Sequence, residues 1–321
     1  MKQRPQARAA RIGILGGGQL ARMLVLKAHD LGITVSVLSE NENDPAAQVC
    51  PLWVRGSLKD LKSIETFLST VEIATFESEF MDAEMLGLAS RKTKTPIFPS
   101  PKQMGVLQDR LPQKRLLVKH GLSTAQFESV SNEKEARAAF SNLGGAVVFK
   151  RRRFGYDGYG TFVVKNEKSL KAFLPEVAKD ENGFIAEKLI QFDREIAIVV
   201  ARTRSGETTA LPFVETFQED SRCLWVKGPL KSNARLKSTA AKIIEFIEAI
   251  GYVGVMGVEL FESKSGLLVN ELAPRVHNSA HYSLDALTTD QFSLHLRAIT
   301  GMPVEATPRL NAPAFAMLNL L

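Results

Sequence analysis

A glycine-rich turn between an apolar run and a helical pattern constrains the fold more than any other feature of the sequence. Residues 11–15 (RIGIL) are typical of a short buried strand, and residues 19–31 place apolar side chains at helical spacing. The glycines between them read G-x-G-x-x-A from Gly16, within the tolerance of the dinucleotide-binding fingerprint, and acidic Glu40 follows where a ribose-binding carboxylate is expected. The turn predicts an anion at the helix N-terminus and leaves open which anion it is.

Strand–helix–strand alternation continues through the first third of the chain. Residues 33–39 and 71–76 are typical of further strands. The alternation predicts a parallel, doubly wound sheet, a Rossmann-like α/β domain over residues 11–100. The proline-rich segment 95–105 marks its boundary. The basic residues 1–10 are expected to form a disordered arm rather than a secretory signal, because the apolar segment typical of such a signal is not found behind them.

Beyond this boundary the pattern predicts an α+β domain in which hairpin-like strands precede an amphipathic helix. One helix is expected over about 102–120, the amphipathic helix over 238–251, and a last helix over 289–301. The predicted strands cover residues 146–150, 161–165, 184–190, 194–201, 254–261 and 266–272.

Composition excludes several classes of function. Hydrophobic residues make up 45% of the chain and charged residues 24%, as in ordinary globular proteins, and no apolar run approaches the ~20 residues that cross a bilayer. The net charge of +6 is spread along the chain, and the densest basic run, 150–153, lies beside glycines rather than aromatic residues. Cys50 and Cys223 lack metal-type spacing and fit a reducing cytosol. We therefore expect two or three domains with no membrane or nucleic-acid partner.

A basic, glycine-rich loop lies between two predicted strands at residues 149–161 (FKRRRFGYDGYGT). It is not a Walker loop, because no G-K-[ST] leads into a helix. A turn of this kind can close over a polyphosphate like a lid, with Lys150 reaching a phosphate as a point charge. For this segment alone, an ordinary basic hairpin is an equally good interpretation.

Two carboxylates and an amide lie on apolar strands further along the chain. Glu259 lies in GVELF, and Asn270 and Glu271 lie in LLVNEL. Neighbouring antiparallel strands can direct such side chains to one point, where they would suit Mg²⁺, which completes its shell with phosphate oxygens. A solvated cross-strand pair is the alternative, but the apolar flanks make unpaired inward carboxylates costly and favour the metal.

Two further segments suit a nucleotide and its reaction. In residues 186–190 (AEKLI) a free strand edge can pair with adenine, and Glu195 can accept from ribose hydroxyls, although a surface carboxylate is the commoner explanation. Segment 273–286 (APRVHNSAHYSLDA) holds Arg275, which suits a clamp on a transferring phosphoryl group.

The histidines of the second half allow another interpretation. The spacing of His277 and His281 is possible for zinc on a helix, but Pro274 and the triplet HNS indicate a loop, and no H-E-x-x-H is present. His295, on the last predicted helix, is expected to be structural.

In combination these segments resemble the ATP-grasp superfamily, and within it the 5-(carboxyamino)imidazole ribonucleotide synthase family of purine biosynthesis. The resemblance runs in order through nearly the whole chain, and NELAPRVHNSAHY is its most specific string. The other matching strings are GILGGGQLARML, DPAAQV, SPKQMGVLQDR, KRRRFGYDGYGT, EKLI, GYVGVMGVELF and QFSLHLRAITGMP.

The resemblance implies an architecture and an activity. The Rossmann-like domain would be followed by an ATP-grasp domain over 101–302, with a lid subdomain at about 122–188, and then by a small C-terminal β domain of which 303–321 is only the start. The implied enzyme is an ATP-dependent C–N ligase that carboxylates 5-aminoimidazole ribonucleotide with bicarbonate through carboxyphosphate, using Mg²⁺. It would be a cytoplasmic homodimer.

The resemblance also implies a role for each matching residue. ATP would be bound through its phosphates, adenine and ribose by Arg110, Lys150, the lid residues Gly155, Tyr156, Asp157, Gly158, Tyr159, Gly160 and Thr161, then Glu187, Lys188, Leu189, Ile190, Glu195, Gln218, Asn270 and Glu271. Glu259 and Glu271 would bind Mg²⁺, and Arg275 and Lys150 would be catalytic. The substrate pocket would comprise Gln19, Leu20, Glu77 (or Glu79), Arg275, His277, Asn278, Ser279 and His281.

The sequence departs from the family pattern at several positions. Phe154 replaces the first glycine of the lid, Tyr159 replaces a basic residue, and Gln218 stands where a histidine is common. The family's basic C-terminal segment, which grips the ribonucleotide phosphate, has no counterpart before Leu321, so a truncated chain is expected. Another ATP-grasp carboxylate–amine ligase and a substrate-impaired nucleotide-binding paralog are the alternatives. An NAD enzyme is disfavoured because the second half already carries a nucleotide site, which leaves Glu40 as a surface residue.

Overall fold

A computed structural model describes residues 11–155, 159–219, 222–264 and 266–319, which form three sheets with flanking helices. The N-terminal sheet is parallel, in the order β3-β2-β1-β4, and confirms the predicted Rossmann-like arrangement. The predicted arm, residues 1–10, lies outside the described residues. The elements of this part are β1 (Ile12–Leu15), α1 (Gln19–Asp30), β2 (Val35–Ser39), β3 (Trp53–Arg55), α2 (Leu61–Leu68), β4 (Ile73–Phe76) and α3 (Ala83–Thr93).

The glycine turn after β1 holds a carboxylate supplied by the chain itself. Glu77, just beyond β4, accepts from the backbone N–H of Gly18 at 2.6 Å and of Ala21 at 3.1 Å. A Cβ on Gly16, whose φ is +109°, would lie 2.6 Å from Glu77 Oε1, and one on Gly18 would lie 2.7 Å from Oε2. The anion at the α1 N-terminus is therefore Glu77. Glu40 is exposed and accepts from the Ser57 hydroxyl at 2.6 Å, as expected of a surface residue.

Two short helices connect the N-terminal sheet to the rest of the chain, so the single helix predicted over 102–120 is wrong. The helices are α4 (Pro101–Leu107) and α5 (Arg110–Lys119). The backbone of Asp109 is extended, which interrupts the helix after α4. Its carboxylate accepts from Leu111 N–H at 3.0 Å and so caps the N-terminus of α5. Met104 of α4 packs in the same core as β1 and β4.

The second sheet is antiparallel, in the order β5-β8-β6-β7. Its own core includes Phe149, Phe173 and Phe184, which pack around one another. The strand predicted over 184–190 ends earlier, at Lys188, which faces Val147 at the start of the neighbouring strand. This lid sheet comprises β5 (Phe127–Val130), α6 (Glu133–Asn142), β6 (Val147–Arg151), β7 (Thr161–Val164), α7 (Glu167–Val177) and β8 (Phe184–Lys188).

The third and largest sheet has the order β14-β13-β9-β11-β12-β15, with β10 beside β9. Its amphipathic helix starts four residues earlier than predicted, since Asn233 caps it by accepting from Leu236 N–H at 2.9 Å. The elements are β9 (Arg194–Arg202), β10 (Thr208–Ala210), β11 (Val214–Glu219), β12 (Arg222–Gly228), α8 (Ala234–Ala249), β13 (Gly254–Ser263), β14 (Gly266–Ala273), α9 (Ser283–Ala286), α10 (Gln291–Thr300) and β15 (Phe315–Leu318).

A buried histidine joins the first and third sheets, which confirms the structural role predicted for His295. Its Nε2 lies 2.8 Å from the Thr75 hydroxyl on β4, and its Nδ1 accepts from Val255 N–H on β13 at 3.2 Å. Burial lowers the pKa of His295 to about 4. The ring is therefore neutral at pH 7 and bridges the two sheets with both nitrogens.

No helix among the described residues combines the length and apolar character that crossing a membrane requires. The two cysteines, Cys50 and Cys223, are buried and unpaired.

Gly16→Ala tests the close approach of Glu77 to the turn. We expect a loss of at least about 2 kcal/mol in the free energy of unfolding, because the new methyl group is strained by positive φ and also meets Glu77. Gly121→Ala is the matched control: its φ is +72° but no atom lies within 4 Å of the added Cβ, so about 1 kcal/mol is expected. Equal losses in urea unfolding would show that the contact with Glu77 contributes nothing.

The pKa of His295 predicts a loss of stability on acidification. The folded pKa of about 4 lies below the unfolded value of ~6.5, so only the unfolded chain binds a proton between these limits. The stability that neutral His295 provides is complete above pH 6.5 and falls by about 1.4 kcal/mol per pH unit down to pH 4. When the free energy of unfolding is measured in urea at pH values from 7 to 4, that of His295→Gln should fall less steeply than that of the wild-type protein. Parallel curves for the two proteins would contradict this.

Candidate active site

The predicted site residues converge on a cavity of about 440 Å³ between the lid sheet, the large sheet and the loop after β4. Glu79, which the sequence offered only as the alternative to Glu77, also lines it, as do Phe80, Phe192 and Phe261, which sequence reasoning missed. The predicted residues that line the cavity are Leu20, Arg110, Lys150, Gly155, Thr161, Glu187, Lys188, Leu189, Ile190, Glu195, Gln218, Glu259, Asn270, Glu271, Arg275, His277 and Asn278.

A β-bulge on β14 brings three of these side chains together. Glu259 of β13 lies directly opposite Glu271, and the register then shifts so that Leu260 faces Val269 and Asn270 is the extra residue. Such a bulge re-aims a side chain that regular alternation would direct to the other face. Asn270 Nδ2 accordingly lies 3.4 Å from Glu259 Oε2, while Arg110 Nη2 donates to both carboxylate oxygens of Glu271 at 3.0 Å.

Negative charge is concentrated at the bulge. Burial raises the pKa of Glu259 to about 7, and the nearby carboxylates of Glu271 and Glu195 add to the increase while Lys150 opposes it. Burial likewise raises the pKa of Glu195. Within the described ranges no group of three or more His, Cys, Asp and Glu side chains is arranged to hold a metal ion. A cation at Glu259 and Glu271 would therefore need oxygen ligands from a bound molecule.

Positive charge faces this cluster from the lid sheet. Lys150 Nζ lies 2.9 Å from Glu187 Oε2 and donates to Asn270 Oδ1 at 2.9 Å. On its other side Glu187 pairs with Lys114 of α5 at 3.2 Å. Burial alone would raise the pKa of Glu187, but Lys150 and Lys114 hold it at about 2. Sequence reasoning missed Lys114, although it follows Arg110 by one helical turn and so shares its face of α5.

The lid loop is tied to α5 by ion pairs. Asp109, the cap of α5, accepts from Arg152 Nε at 3.0 Å and from its Nη2 at 2.6 Å. Arg110 Nη1 donates to the Arg151 carbonyl at 3.1 Å. Of the predicted lid residues, Tyr159 and Gly160 do not line the cavity, and Tyr156, Asp157 and Gly158 lie outside the described residues.

The predicted adenine edge is partly used by the fold itself. Lys188 N–H donates to the Gln126 carbonyl at 2.8 Å, and Leu189 N–H donates to the Ala146 carbonyl at 3.0 Å, so neither N–H is left for a ligand. At the same end of the cavity Phe192 and Phe261 stack with ring centroids 4.5 Å apart. Sequence reasoning missed this pair, although Phe192 directly follows EKLIQ and Phe261 ends GVELF.

Arg275 is held by the N-terminal sheet. Its guanidinium forms a bidentate pair with Glu79, with distances of 2.5 Å from Nε and 3.2 Å from Nη2. Of the two carboxylates considered after β4, Glu79 lines this cavity, whereas Glu77 caps α1 and borders a second groove.

The loop after Arg275 is fixed by a glutamine that the sequence did not single out. Gln291 of α10 accepts from His277 N–H at 2.7 Å and donates to the His277 carbonyl at 2.8 Å and to His281 Nδ1 at 3.0 Å. Ser279 and His281 consequently support the loop and do not line the cavity. Burial, with Arg275 nearby, lowers the pKa of His277 to about 3 and that of His281 to about 4, so both rings are neutral.

Two polar atoms at the Arg275 end suggest where a substrate lies. His277 Nε2 is 3.4 Å from Glu259 Oε1. Asn278 Oδ1 is buried without a hydrogen-bond partner among the described residues, which is costly unless a ligand donates to it. Leu20 of α1 lines the cavity nearby, whereas Gln19 is exposed and lies outside it.

Two family models match the chain. The ATP-grasp domain model matches residues 115–292, and the ribonucleotide synthetase preATP-grasp domain model matches residues 9–108.

Full-length relatives and solved structures agree with these matches. The chain is 37% identical over 97% of its length to N5-carboxyaminoimidazole ribonucleotide synthase of Synechococcus elongatus and covers 78% of that protein. It is 37% identical over 91% of its length to phosphoribosylaminoimidazole carboxylase of Saccharomyces cerevisiae, of which it covers 52%. N5-carboxyaminoimidazole synthetase of Staphylococcus aureus, complexed with ADP, superposes with a TM-score of 0.92 at 30% identity, over 97% of this chain and 82% of that one. The Aspergillus clavatus synthase, in complex with ADP and 5-aminoimidazole ribonucleotide, gives 0.85 at 31% identity, over 97% and 82%.

Phe261→Ala tests the aromatic end of the cavity. We expect ADP affinity to fall by about tenfold, because an adenine ring held beside Ile190 would lose its stacking surface. Phe217→Ala is the control, since Phe217 stacks on Trp225 and does not line the cavity. Isothermal titration calorimetry measures both, and an equal loss of affinity in the two variants would place the adenine elsewhere.

Proposed function

Because this chain belongs to the N5-carboxyaminoimidazole ribonucleotide synthase family of ATP-grasp ligases, we propose that its cavity joins bicarbonate to an aminoimidazole through carboxyphosphate. The enzyme is an ATP-dependent ligase that carboxylates 5-aminoimidazole ribonucleotide in purine biosynthesis. The observation that carries the proposed chemistry is the cavity itself, which brings Lys150, Arg110 and Arg275 together with Glu259 and Glu271.

The cavity has the charge distribution that a triphosphate requires. Lys150 and Arg110 supply positive charge for the phosphates, and phosphoryl transfer depends on such positioning and neutralisation more than on covalent help. The aromatic pair Phe192 and Phe261, with Ile190, forms the apolar end for adenine, and Glu195 and Gln218 border it for the ribose.

The carboxylates of the bulge fit Mg²⁺. Glu259 and Glu271 face each other in register, and their carboxylates are hard oxygen donors of the kind Mg²⁺ prefers. Asn270 assists them from the side, with its Nδ2 3.4 Å from Glu259 Oε2 and its Oδ1 held by Lys150. Burial raises the pKa of Glu259, and the neighbouring carboxylates of Glu271 and Glu195 add to the increase; a divalent cation would offset both effects. We therefore assign Glu259 and Glu271 to the metal, which would neutralise charge on the phosphates.

Arg275, whose charge interacts with those of Glu271 and Glu259, neutralises the transferred phosphoryl group. A bicarbonate oxygen attacks the γ-phosphorus and ADP leaves, which gives carboxyphosphate. The substrate amine then attacks its carbonyl carbon; phosphate leaves and the nitrogen loses a proton. The unpartnered Asn278 Oδ1 accepts from the amine, and neutral His277, held by Gln291, shapes the pocket without adding charge.

The ribonucleotide would enter from the N-terminal domain. Leu20 already lines the cavity, and Gln19 precedes it at the first turn of α1. We keep Gln19, Glu77, Ser279 and His281 in the proposed substrate site as residues near its wall. That the lid residues Tyr156, Asp157 and Gly158 contact ATP stays a prediction.

We also propose that the enzyme acts as a cytoplasmic homodimer. The unpaired state of the buried thiols Cys50 and Cys223 supports a reducing compartment. The family resemblance supports the dimer.

Arg275→Met separates phosphoryl transfer from nucleotide binding. We expect kcat for ADP release to fall by at least ~100-fold, since the transferred charge loses its guanidinium, while ADP affinity stays within about threefold of wild type. The assay follows ADP release with bicarbonate, with and without 5-aminoimidazole ribonucleotide, which should stimulate the wild-type enzyme.

Arg309→Met is the control, because the Arg309 side chain is 82% exposed and lies outside the cavity. If the ribonucleotide does not stimulate bicarbonate-dependent ADP release by the wild-type enzyme, carboxylation of this amine is wrong for this chain. Stimulation by a different amine or acid would then indicate another ATP-grasp ligase.

A further inference from the structure

Lys114 lies behind the cavity wall in a buried network of three charges. The Glu187 side chain is 4% exposed and stands between Lys114, 2% exposed, and Lys150, 11% exposed. Lys150 and Glu187 line the cavity, and Lys114 does not. A ligand in the cavity can therefore meet Lys150, while Lys114 is out of its reach.

The position of Lys114 is fixed by oxygen atoms of the protein. Its Nζ lies 3.2 Å from Glu187 Oε1, 2.6 Å from the Thr124 hydroxyl and 3.3 Å from the Val269 carbonyl. The Thr124 hydroxyl and the Val269 carbonyl accept hydrogen bonds from the ammonium group. Glu187 Oε1, which has no hydrogen-bond partner among the described residues, contacts it as an ion pair. Thr124 in turn donates to the Val269 carbonyl at 2.7 Å, which anchors the group to β14.

Lys150 is satisfied less completely. Glu187 Oε2 and Asn270 Oδ1 lie 2.9 Å from its Nζ, and no third partner for it is present in the described part of the chain. Its remaining N–H suits an oxygen of a bound anion. The charge that Lys150 can offer depends on how strongly Glu187 already neutralises it, because a buried carboxylate attracts a neighbouring ammonium strongly.

We propose that Lys114 is a positioning residue that neutralises Glu187 from behind, so that the charge of Lys150 remains available to the nucleotide phosphates. Lys114, Glu187 and Lys150 together carry a charge of +1. Without Lys114 the sum would be zero, and of the two lysines in ion-pair contact with the buried Glu187 carboxylate only Lys150 would remain. Glu187 thus orients the Lys150 ammonium group, and Lys114 offsets the negative charge of Glu187 so that the positive charge of Lys150 is not cancelled.

This inference rests on the proposed nucleotide site, and its test uses ADP binding alone, so it does not depend on which acceptor the enzyme carboxylates. Calorimetry with ADP and Mg²⁺ compares wild type with Lys114→Met, Glu187→Gln and the double variant. Lys114→Met should bind ADP about tenfold more weakly. The double variant removes both buried charges and should regain affinity to within about threefold of wild type.

Lys119→Met is the matched control, since Lys119 is an exposed lysine on the same helix and its loss should leave ADP affinity unchanged. A purely structural role for Lys114 would not be rescued by a second change at Glu187. Wild-type affinity in Lys114→Met, or no recovery in the double variant, would overturn the proposal.

Circular dichroism establishes whether each variant folds. If Lys114→Met does not fold, the other two variants decide the question. Glu187→Gln leaves both lysines without the carboxylate and should bind ADP at least about threefold more tightly than wild type. A tenfold weakening in Glu187→Gln or in the double variant would overturn the proposal, whereas failure of wild type to bind ADP would refute the nucleotide site itself.

Discussion

The pairing of β13 with β14 is the constraint on which the site depends. Glu259 and Glu271 face each other across the pair, and the bulge at Asn270 places adjacent residues of one strand on the same side. A regular ladder would direct Asn270 away from Lys150 and Glu259. The acidic part of the cavity is therefore set by the main-chain pairing of the edge strand β14 with β13 in the largest sheet.

The remaining walls are brought to this strand pair by ion pairs between separate parts of the chain. Arg110 of α5 contacts Glu271, Lys150 of the lid sheet contacts Asn270, and Arg275 contacts Glu79 after β4. Each pair joins elements far apart in sequence, so the site exists only when the three sheets are assembled. Neutral His295, between β4 and β13, joins two of the same sheets without charge.

Much of this arrangement can be predicted from the sequence, for reasons specific to each element. The apolar strands that carry Glu259 and Glu271 and the basic strand that ends at Lys150 are visible as local patterns, and the strings around them are specific enough to indicate the family. The bulge is not visible, because register depends on the partner strand. For the same reason the inward turn of the Glu187 carboxylate, and with it the part played by Lys114, could not be read from AEKLI. The break between α4 and α5 was missed because an aspartate such as Asp109 is equally common at an exposed polar position within a helix.

The carboxylate of Glu77 at the start of α1 gives the glycine turn a different meaning from the one its spacing suggests. In a dinucleotide-binding protein the charge at this point belongs to a ligand, and the stability of the turn then varies with the ligand's concentration. Here the charge is covalently part of the chain and always present. The chain thus supplies the anion of this turn itself, and the same turn begins α1, whose Leu20 lines the cavity.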